Sequence, residues 1–324
     1  MNLEMVLNVF KGLCIRFLMF DIVGIGCSCY DFLGISSVSP NIDGKIRLDR
    51  AVSDGGGMVA TALVAASRLG ASVAYLGPIP GDNIGGLIKK SFDIEGVDIQ
   101  YCKFDPNAKS HISMVMVDTR TGGRTIYSSG SREEYFMPED LQNDVIQNAR
   151  FLLIDGTYRA ATIKACNIAK EFGLTIVLDA DDRLANDPDV YDLMGLVDII
   201  IPSNRFITRL TNETVAEKAI AKLKESISSS IVLTLGGNGC IISDGNSFFR
   251  IPAFKVDVLD TTGAGDVFHG AILVGLMHEW DLIQSAKFAS AVAALSCTKL
   301  GGRSGIPTFG ETIDFLTDHG VKNE

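Results

Sequence analysis

The chain has 324 residues, 47% of them apolar and 33 of them glycine, with a formal net charge of −10. That length suits one large α/β domain or two smaller ones, each with a sizeable core. The acidic balance argues against nucleic acid or an anionic membrane as the main partner, although a nucleotide can still bind where backbone N–H groups cluster.

The first eighteen residues, MNLEMVLNVFKGLCIRFL, are apolar with Lys11 and Arg16 among them. No basic segment precedes the apolar stretch and no small-residue cleavage site stands before Asp21, so it does not read as a secretory signal. Its charges interrupt it too early for a membrane span. Residues 1–18 are therefore expected to be a leader outside the core, with a single domain over 19–324.

From Asp21 onward strand-like and helical segments alternate, the signature of a largely parallel sheet covered by helices. Asp21–Cys27 reads as a buried strand. Met58–Leu69 is Ala-rich and ends at Gly70, as a helix with a C-terminal glycine does. The strand after Ser72 and the helix Asn83–Glu95 follow. Apolar runs beginning at Phe151, Thr175, Asp198 and Ile231 repeat the strand theme, with helices predicted over Ala160–Phe172 and Ala216–Glu225 between them. Asp266–Glu279 and Leu282–Cys297 are the closing helices. Leu33–Val52 and Ser110–Ser128 alternate polar and apolar residues, and predict a small sheet projecting as a lid.

The seven cysteines include no Cys-x-x-Cys pair, and the four histidines show no ligand spacing. The cysteines read as small buried hydrophobes in a reducing compartment, so the protein is expected in the cytoplasm, and no structural metal is expected.

The chemistry concentrates in Val256-Asp-Val-Leu-Asp260-Thr-Thr-Gly-Ala-Gly-Asp266, followed by an apolar helix. A strand end, a Gly-Ala-Gly turn and a helix start gather free backbone N–H groups in one concavity, where the helix dipole favours an anion. Asp266 falls in the first helical turn, so its carboxylate can face that anion. A cradle for phosphoryl charge beside a base for the attacking hydroxyl is what phosphoryl transfer requires. The plainer reading makes Asp266 only a helix cap on a glycine-rich turn.

The run DTTGAGDVFHG resembles the C-terminal signature of the ribokinase-like, or PfkB, carbohydrate kinases. Asp54-Gly-Gly-Gly-Met-Val-Ala-Thr-Ala62 resembles the second signature, with Thr61 where an asparagine is usual. The resemblance covers nearly all of Met19–Phe315. It implies a ribokinase-like α/β fold and phosphorylation of a sugar hydroxyl by ATP with Mg2+. Asp266 would be the catalytic base and Gly263, Ala264 and Gly265 the anion hole. Asp31, Gly56, Gly57, Thr61 and Asp82 would meet the sugar. Thr234, Gly236, Gly239 and Ser290 would meet the nucleotide, Ser290 standing where many members have asparagine. Asp260, Thr262, Gly301 and Ser304, with Arg303 in the same turn, would hold a monovalent cation such as K+. The family's Asn-x-x-Glu is here Asn204-Arg205-Phe206-Ile207, so Mg2+ would be held mostly by phosphates and water. The C-terminal third looks most like the sulfofructose and ketohexose branch, and Lys45, Arg47, Lys109, Arg124 and Arg159 are candidates to meet an anionic sugar. A homodimer through the lid is implied, with Ile112, Met114 and Met116 on its apolar face.

Two other readings compete. Gly24-Ile-Gly26 after a strand suggests a dinucleotide-binding oxidoreductase, but the third glycine would fall at Cys29 and no helix pattern follows. A sugar-binding protein without turnover is suggested by the altered Asn204–Ile207 segment, and opposed by the intact Gly263–Asp266.

Overall fold

The apolar strands lie side by side in an eight-stranded sheet. Its order is Ser247–Ile251, Cys240–Asp244, Ser230–Thr234, Ile199–Pro202, Thr175–Ala180, Ala149–Ile154, Phe20–Ile25 and Val73–Tyr75. The six strands from Ser230–Thr234 to Val73–Tyr75 are parallel, and the two at the other end form antiparallel hairpins. The computed structural model describes residues 18–38, 43–118, 120, 123–130, 132–244 and 247–321. All of the expected leader except Leu18 lies outside these residues, as do positions 39–42 of the first lid segment.

Parallel strands covered on both faces carry apolar residues continuously, and here successive residues feed two separate cores. Ile22, Leu153, Val177, Ile201 and Val232 point to one face, against the helices Met58–Arg68, Ala264–Met277 and Leu282–Ser296. Val23, Leu152, Ile154, Leu178 and Ile200 point to the other, against Arg159–Glu171, Asn204–Thr211 and Ala216–Lys224. Fully burying a side chain of this size contributes about 1.5–3 kcal/mol, so the two cores dominate the stability of the domain.

The helix ends follow from local chemistry. Asp82 caps Asn83–Glu95 by accepting the Gly85 N–H at 2.8 Å. Asp281 and Gln284 form a capping box at the start of Leu282–Ser296. The helix expected from Asp266 begins two residues earlier, at Ala264, because Gly263 takes the cap position with φ 72°.

A second sheet, of four strands in the order Arg50–Gly56, Cys29–Ser36, Ile112–Asp118 and Arg124–Ser128, stands beside the first. It begins at Cys29 rather than Leu33, because the alternation of buried and exposed residues starts there. One face carries Leu33, Ile35, Val115 and Val117, packed together with Leu300. On the opposite face Phe32, Met114 and Tyr127 stand in one cross-strand row. All three are exposed, Tyr127 by 67%. A short pair, Pro78–Pro80 with Lys103–Asp105, had no counterpart in the sequence reading. Among the described residues no helix is long and apolar enough to cross a membrane.

Candidate active site

Two cavities meet where the carboxyl ends of the parallel strands face the small sheet. One, of about 420 Å3, is lined by Thr234, Gly236, Gly239, Ala264, Gly265 and Ser290, with Phe254, Val256 and Ala294 as its apolar wall. The other, of about 410 Å3, is lined by Asp31, Gly57, Thr262, Gly263 and Asp266 together with Cys27, Cys29, His111, Asp179, Asp181, Arg183 and His269. Thr234, Gly265 and Arg124 belong to both. Arg124 is held there by donating from Nη1 to Thr261 Oγ1 at 2.8 Å.

The junction is built by the start of the helix Ala264–Met277. A Cβ on Gly263 would lie 2.9 Å from the Gly302 carbonyl oxygen, and its positive φ disfavours any other residue. A Cβ on Gly265, by contrast, would meet nothing within 4 Å. Ala264 donates its N–H to the Thr261 carbonyl at 3.3 Å, a long bond. The N–H groups that follow it in the first turn have no carbonyl partner within their own helix, so they can face an anion in the passage. Asp266 lies in that turn. Burial, and then the negative charges of Asp179, Asp181 and Asp31, hold its carboxyl well above the usual carboxylate range.

The second cavity is rich in interacting polar groups. Asp31 is pushed up chiefly by burial, and Cys29 donates to its Oδ1 at 3.2 Å. The Cys27 thiol is drawn well below the usual thiol range, first by its contact with Cys29, against burial, and then by His111. Asp155, beneath the cavity, accepts the Cys27 N–H at 2.7 Å, and burial pushes its carboxyl up to about 7. Asp179 Oδ2 and His269 Nδ1 face each other at 2.9 Å without the alignment of a hydrogen bond.

Several expected site residues sit outside the cavity walls. Thr61 is buried in the helix Met58–Arg68, and its hydroxyl accepts from Arg303 Nε at 3.3 Å. Gly56 lies behind Gly57, and its carbonyl accepts from Arg303 Nη2 at 3.1 Å. Arg303 therefore points away from the cation turn and ties that turn to the Asp54–Ala62 segment. Asp82 spends its carboxylate on the Gly85 N–H and on the N–H and hydroxyl of Ser110. Asp260 is buried and accepts from the N–H and hydroxyl of Thr262 and from the Gly301 N–H, which brings three of the four cation candidates together. The Ser304 hydroxyl donates instead to the Leu300 carbonyl.

Of the five basic candidates only Arg124 reaches a cavity. Arg159 pairs with Asp187, while Lys45, Arg47 and Lys109 are exposed. Arg183 was missed, as were Cys27, Cys29, His111, Asp179, Asp181 and His269. Asp179 and Cys27 had a usable signal, since each stands at or just beyond the carboxyl end of a parallel strand. Asn204 is exposed and Ile207 buried, so that segment offers the site no carboxylate. The oxidoreductase reading loses its helix: after Gly24-Ile-Gly26 the chain enters the strand Cys29–Ser36. Gly24 instead lets the helix Met58–Arg68 pack on the sheet, as a Cβ there would lie 2.6 Å from Val59.

Relatives are consistent with this geometry. A ribokinase of Haemophilus influenzae is 30% identical over 269 residues, covering 81% of this chain and 87% of that protein. A fructokinase-1 of Zea mays is 29% identical, covering 81% and 88%. The structure of ribokinase from Giardia lamblia matches with a TM-score of 0.82, over 92% of this chain and 99% of that one, at 19% identity, which speaks to the fold. The sequence profile described as pfkB family carbohydrate kinase matches residues 19–309, nearly the whole described fold, and the chain therefore belongs to that family of sugar kinases.

Proposed function

We propose that the chain transfers the γ-phosphoryl group of ATP to a hydroxyl of a ketohexose or sulfofructose-like sugar, with Asp266 as the base. The observation that carries this is the junction of the two cavities at Gly265, with Asp266 lining one side and the glycine-rich Thr234–Gly239 turn the other. Asp266 accepts the proton of the attacking hydroxyl as the O–P bond forms. Burial and the neighbouring carboxylates raise its affinity for a proton, which suits a general base. The N–H groups of Gly263, Ala264 and Gly265 stabilise charge on the transferring group. Asp31 and the Gly57 backbone hold the sugar, while Gly236, Gly239 and Ser290 make room for the nucleotide.

Mg2+ would ride on the phosphate oxygens with its waters, and would neutralise charge there when bound. Asp179 and Asp181, on the wall of the same cavity as Asp266, would be the carboxylates to orient those waters. Asp260 suits a monovalent cation, since its buried carboxylate is met only by neutral donors in the bonds described above, and a nearby K+ would compensate its charge. The outer row of Phe32, Met114 and Tyr127 suits a homodimer through the small sheet. The free thiols suit a cytoplasmic location.

Arg124 and Arg183 on the cavity wall supply positive charge for an anionic or strongly polar sugar end. The test is to offer purified protein ATP and Mg2+ with ketohexoses, sugar acids, sulfosugars and aldopentoses, reading ADP release. Turnover restricted to aldopentoses overturns the substrate class. No turnover with any sugar favours a binding protein on a kinase scaffold.

A further inference from the structure

Cys27, Cys29 and His111 converge on the sugar-side cavity from separate parts of the chain, His111 lying 84 residues beyond Cys27. The Cys27 Sγ is 3.1 Å from His111 Nδ1. The two sulfurs and the imidazole nitrogen all lie within 4.8 Å of one another. A tetrahedral ion with bonds of about 2.3 Å to sulfur and about 2.0 Å to nitrogen needs its ligand atoms roughly 3.5–3.8 Å apart. The Cys27–His111 separation is slightly short of that requirement and the others lie within 4.8 Å, so modest side-chain rotations would bring the three atoms to it.

Two further features suit a metal. His111 Nε2 is 2.5 Å from Ser128 Oγ, and an outer partner of this kind fixes the ring so that its other nitrogen faces the thiols. The three residues also line an open cavity rather than a closed core, which leaves the fourth position to water or to an incoming oxygen. Asp31 Oδ1, 3.2 Å from Cys29 Sγ, borders the same position. Two soft thiolates and an imidazole select zinc-class ions over Mg2+, so this site is chemically separate from the phosphate side.

We propose that Cys27, Cys29 and His111 bind one soft divalent ion of the zinc class in the sugar-side cavity, in competition with the sugar. The competition rests on the reading of this cavity as the sugar site. The metal site itself does not. A bound ion would occupy the space beside Asp31, so Zn2+ should act as an inhibitor and raise the KM for sugar while leaving kcat at saturating sugar unchanged.

The test titrates full-length, reduced protein with Cd2+ and follows the sulfur-to-metal charge-transfer absorption in the ultraviolet. One equivalent should saturate the signal in wild type and in Cys102→Ser, whose cysteine lies elsewhere. Cys27→Ser and Cys29→Ser should each weaken Cd2+ binding at least about tenfold and lower the absorption per ion. A second readout, cadmium NMR on the wild type, should report two sulfur ligands and one nitrogen, which covers the case of a variant that misfolds. Absence of the band, or a band unchanged in both variants, overturns the site. Adding the sugar that gives the most ADP release should displace the ion. A site that binds Cd2+ but keeps it at saturating sugar leaves the metal in place and overturns the competition, and with it the placement of the sugar.

Discussion

The two cavities differ in what makes them. The cavity proposed for the nucleotide is walled largely by small residues and backbone, Gly236, Gly239, Gly265, Ser290 and Ala294 among them, from three stretches of chain with Arg124 added from the small sheet. The cavity proposed for the sugar is walled by charged, thiol and imidazole side chains drawn from both sheets and the helix Ala264–Met277. A site that recognises phosphate can rely on backbone N–H groups, which every residue supplies, so its sequence record is an absence of side chains. A site that recognises a particular sugar needs specific polar groups at specific places, and the tertiary fold brings those together. The first kind of site is set by backbone geometry, and the second is the one whose side chains would set substrate choice.

The largest expected effect tests the point where the two halves touch. Asp266→Asn keeps the size of the side chain but cannot accept a proton, so kcat should fall by about 10²–10⁴-fold, the usual worth of a positioned base. The KM for ATP should change far less, because the backbone N–H groups of the cradle remain. Steady-state kinetics on the folded variant checks both. Near-normal turnover would reduce Asp266 to a residue of the helix start.

Next in size is Gly265→Ala, which separates stability from function. The added methyl meets no atom within 4 Å, and alanine in a helix is favoured over glycine by about 0.5–1 kcal/mol. Thermal unfolding should therefore occur at an equal or higher temperature. The methyl nevertheless projects into the passage shared by both cavities, and a displacement of the reacting groups by about 1 Å can cost on the order of 10²-fold in rate. A stable variant with wild-type kcat would show that the phosphoryl group does not pass Gly265.

A smaller effect is expected where the sequence reading placed a sugar contact outside the walls. Asp82 acts in this structure as a helix cap and a clamp on Ser110, so Asp82→Ala should cost about 1 kcal/mol of stability. Its effect on sugar KM should be slight. Burial works against the charged carboxylate, but the hydrogen bonds from Ser110 and Gly85 prevail and hold Asp82 below its ordinary value. Its contribution is then present above the ordinary carboxylate range and is lost as pH falls through the lowered value. Denaturant unfolding at neutral and at acid pH should show the two proteins converging in acid. A tenfold rise in sugar KM with unchanged stability would restore Asp82 to the sugar site.

The same contrast explains what could be read in advance. The order of strands and helices was legible because Ile22, Leu153 and Val177 are apolar in continuous runs whose meaning is local. The cradle was legible because Gly263 to Asp266 is one turn of chain. Arg183, His111 and His269 were not, since each is an ordinary polar residue in sequence and gains its role from neighbours far along the chain. Thr61 was misleading for a related reason. Its signature position was recognisable, but the Arg303 guanidinium that engages its hydroxyl comes from 242 residues away. Phe32 and Tyr127 escaped notice because their exposure depends on which face of the small sheet turns outward.

The finest test reads the charge balance around Asp266. Facing it are the carboxylates of Asp31, Asp179 and Asp181, the Cys27 thiol, the His269 imidazole and, on the same cavity wall, the Arg183 guanidinium. Burial raises its affinity for a proton first, and the carboxylates add to it because each disfavours a further negative charge. In the free enzyme the base must be ionised to act, so kcat/KM should fall as pH drops through that raised value. Asp181→Asn removes one negative charge and also releases Arg183, whose Nε now donates to Asp181 Oδ1 at 2.8 Å. Both changes favour ionised Asp266, so the acid limb of the kcat/KM profile should move to lower pH. The plateau at high pH should hold if Asp181 acts only through this field. A limb that stays in place would mean that the observed ionisation belongs to another group, and a limb that moves upward would reverse the sign of the argument.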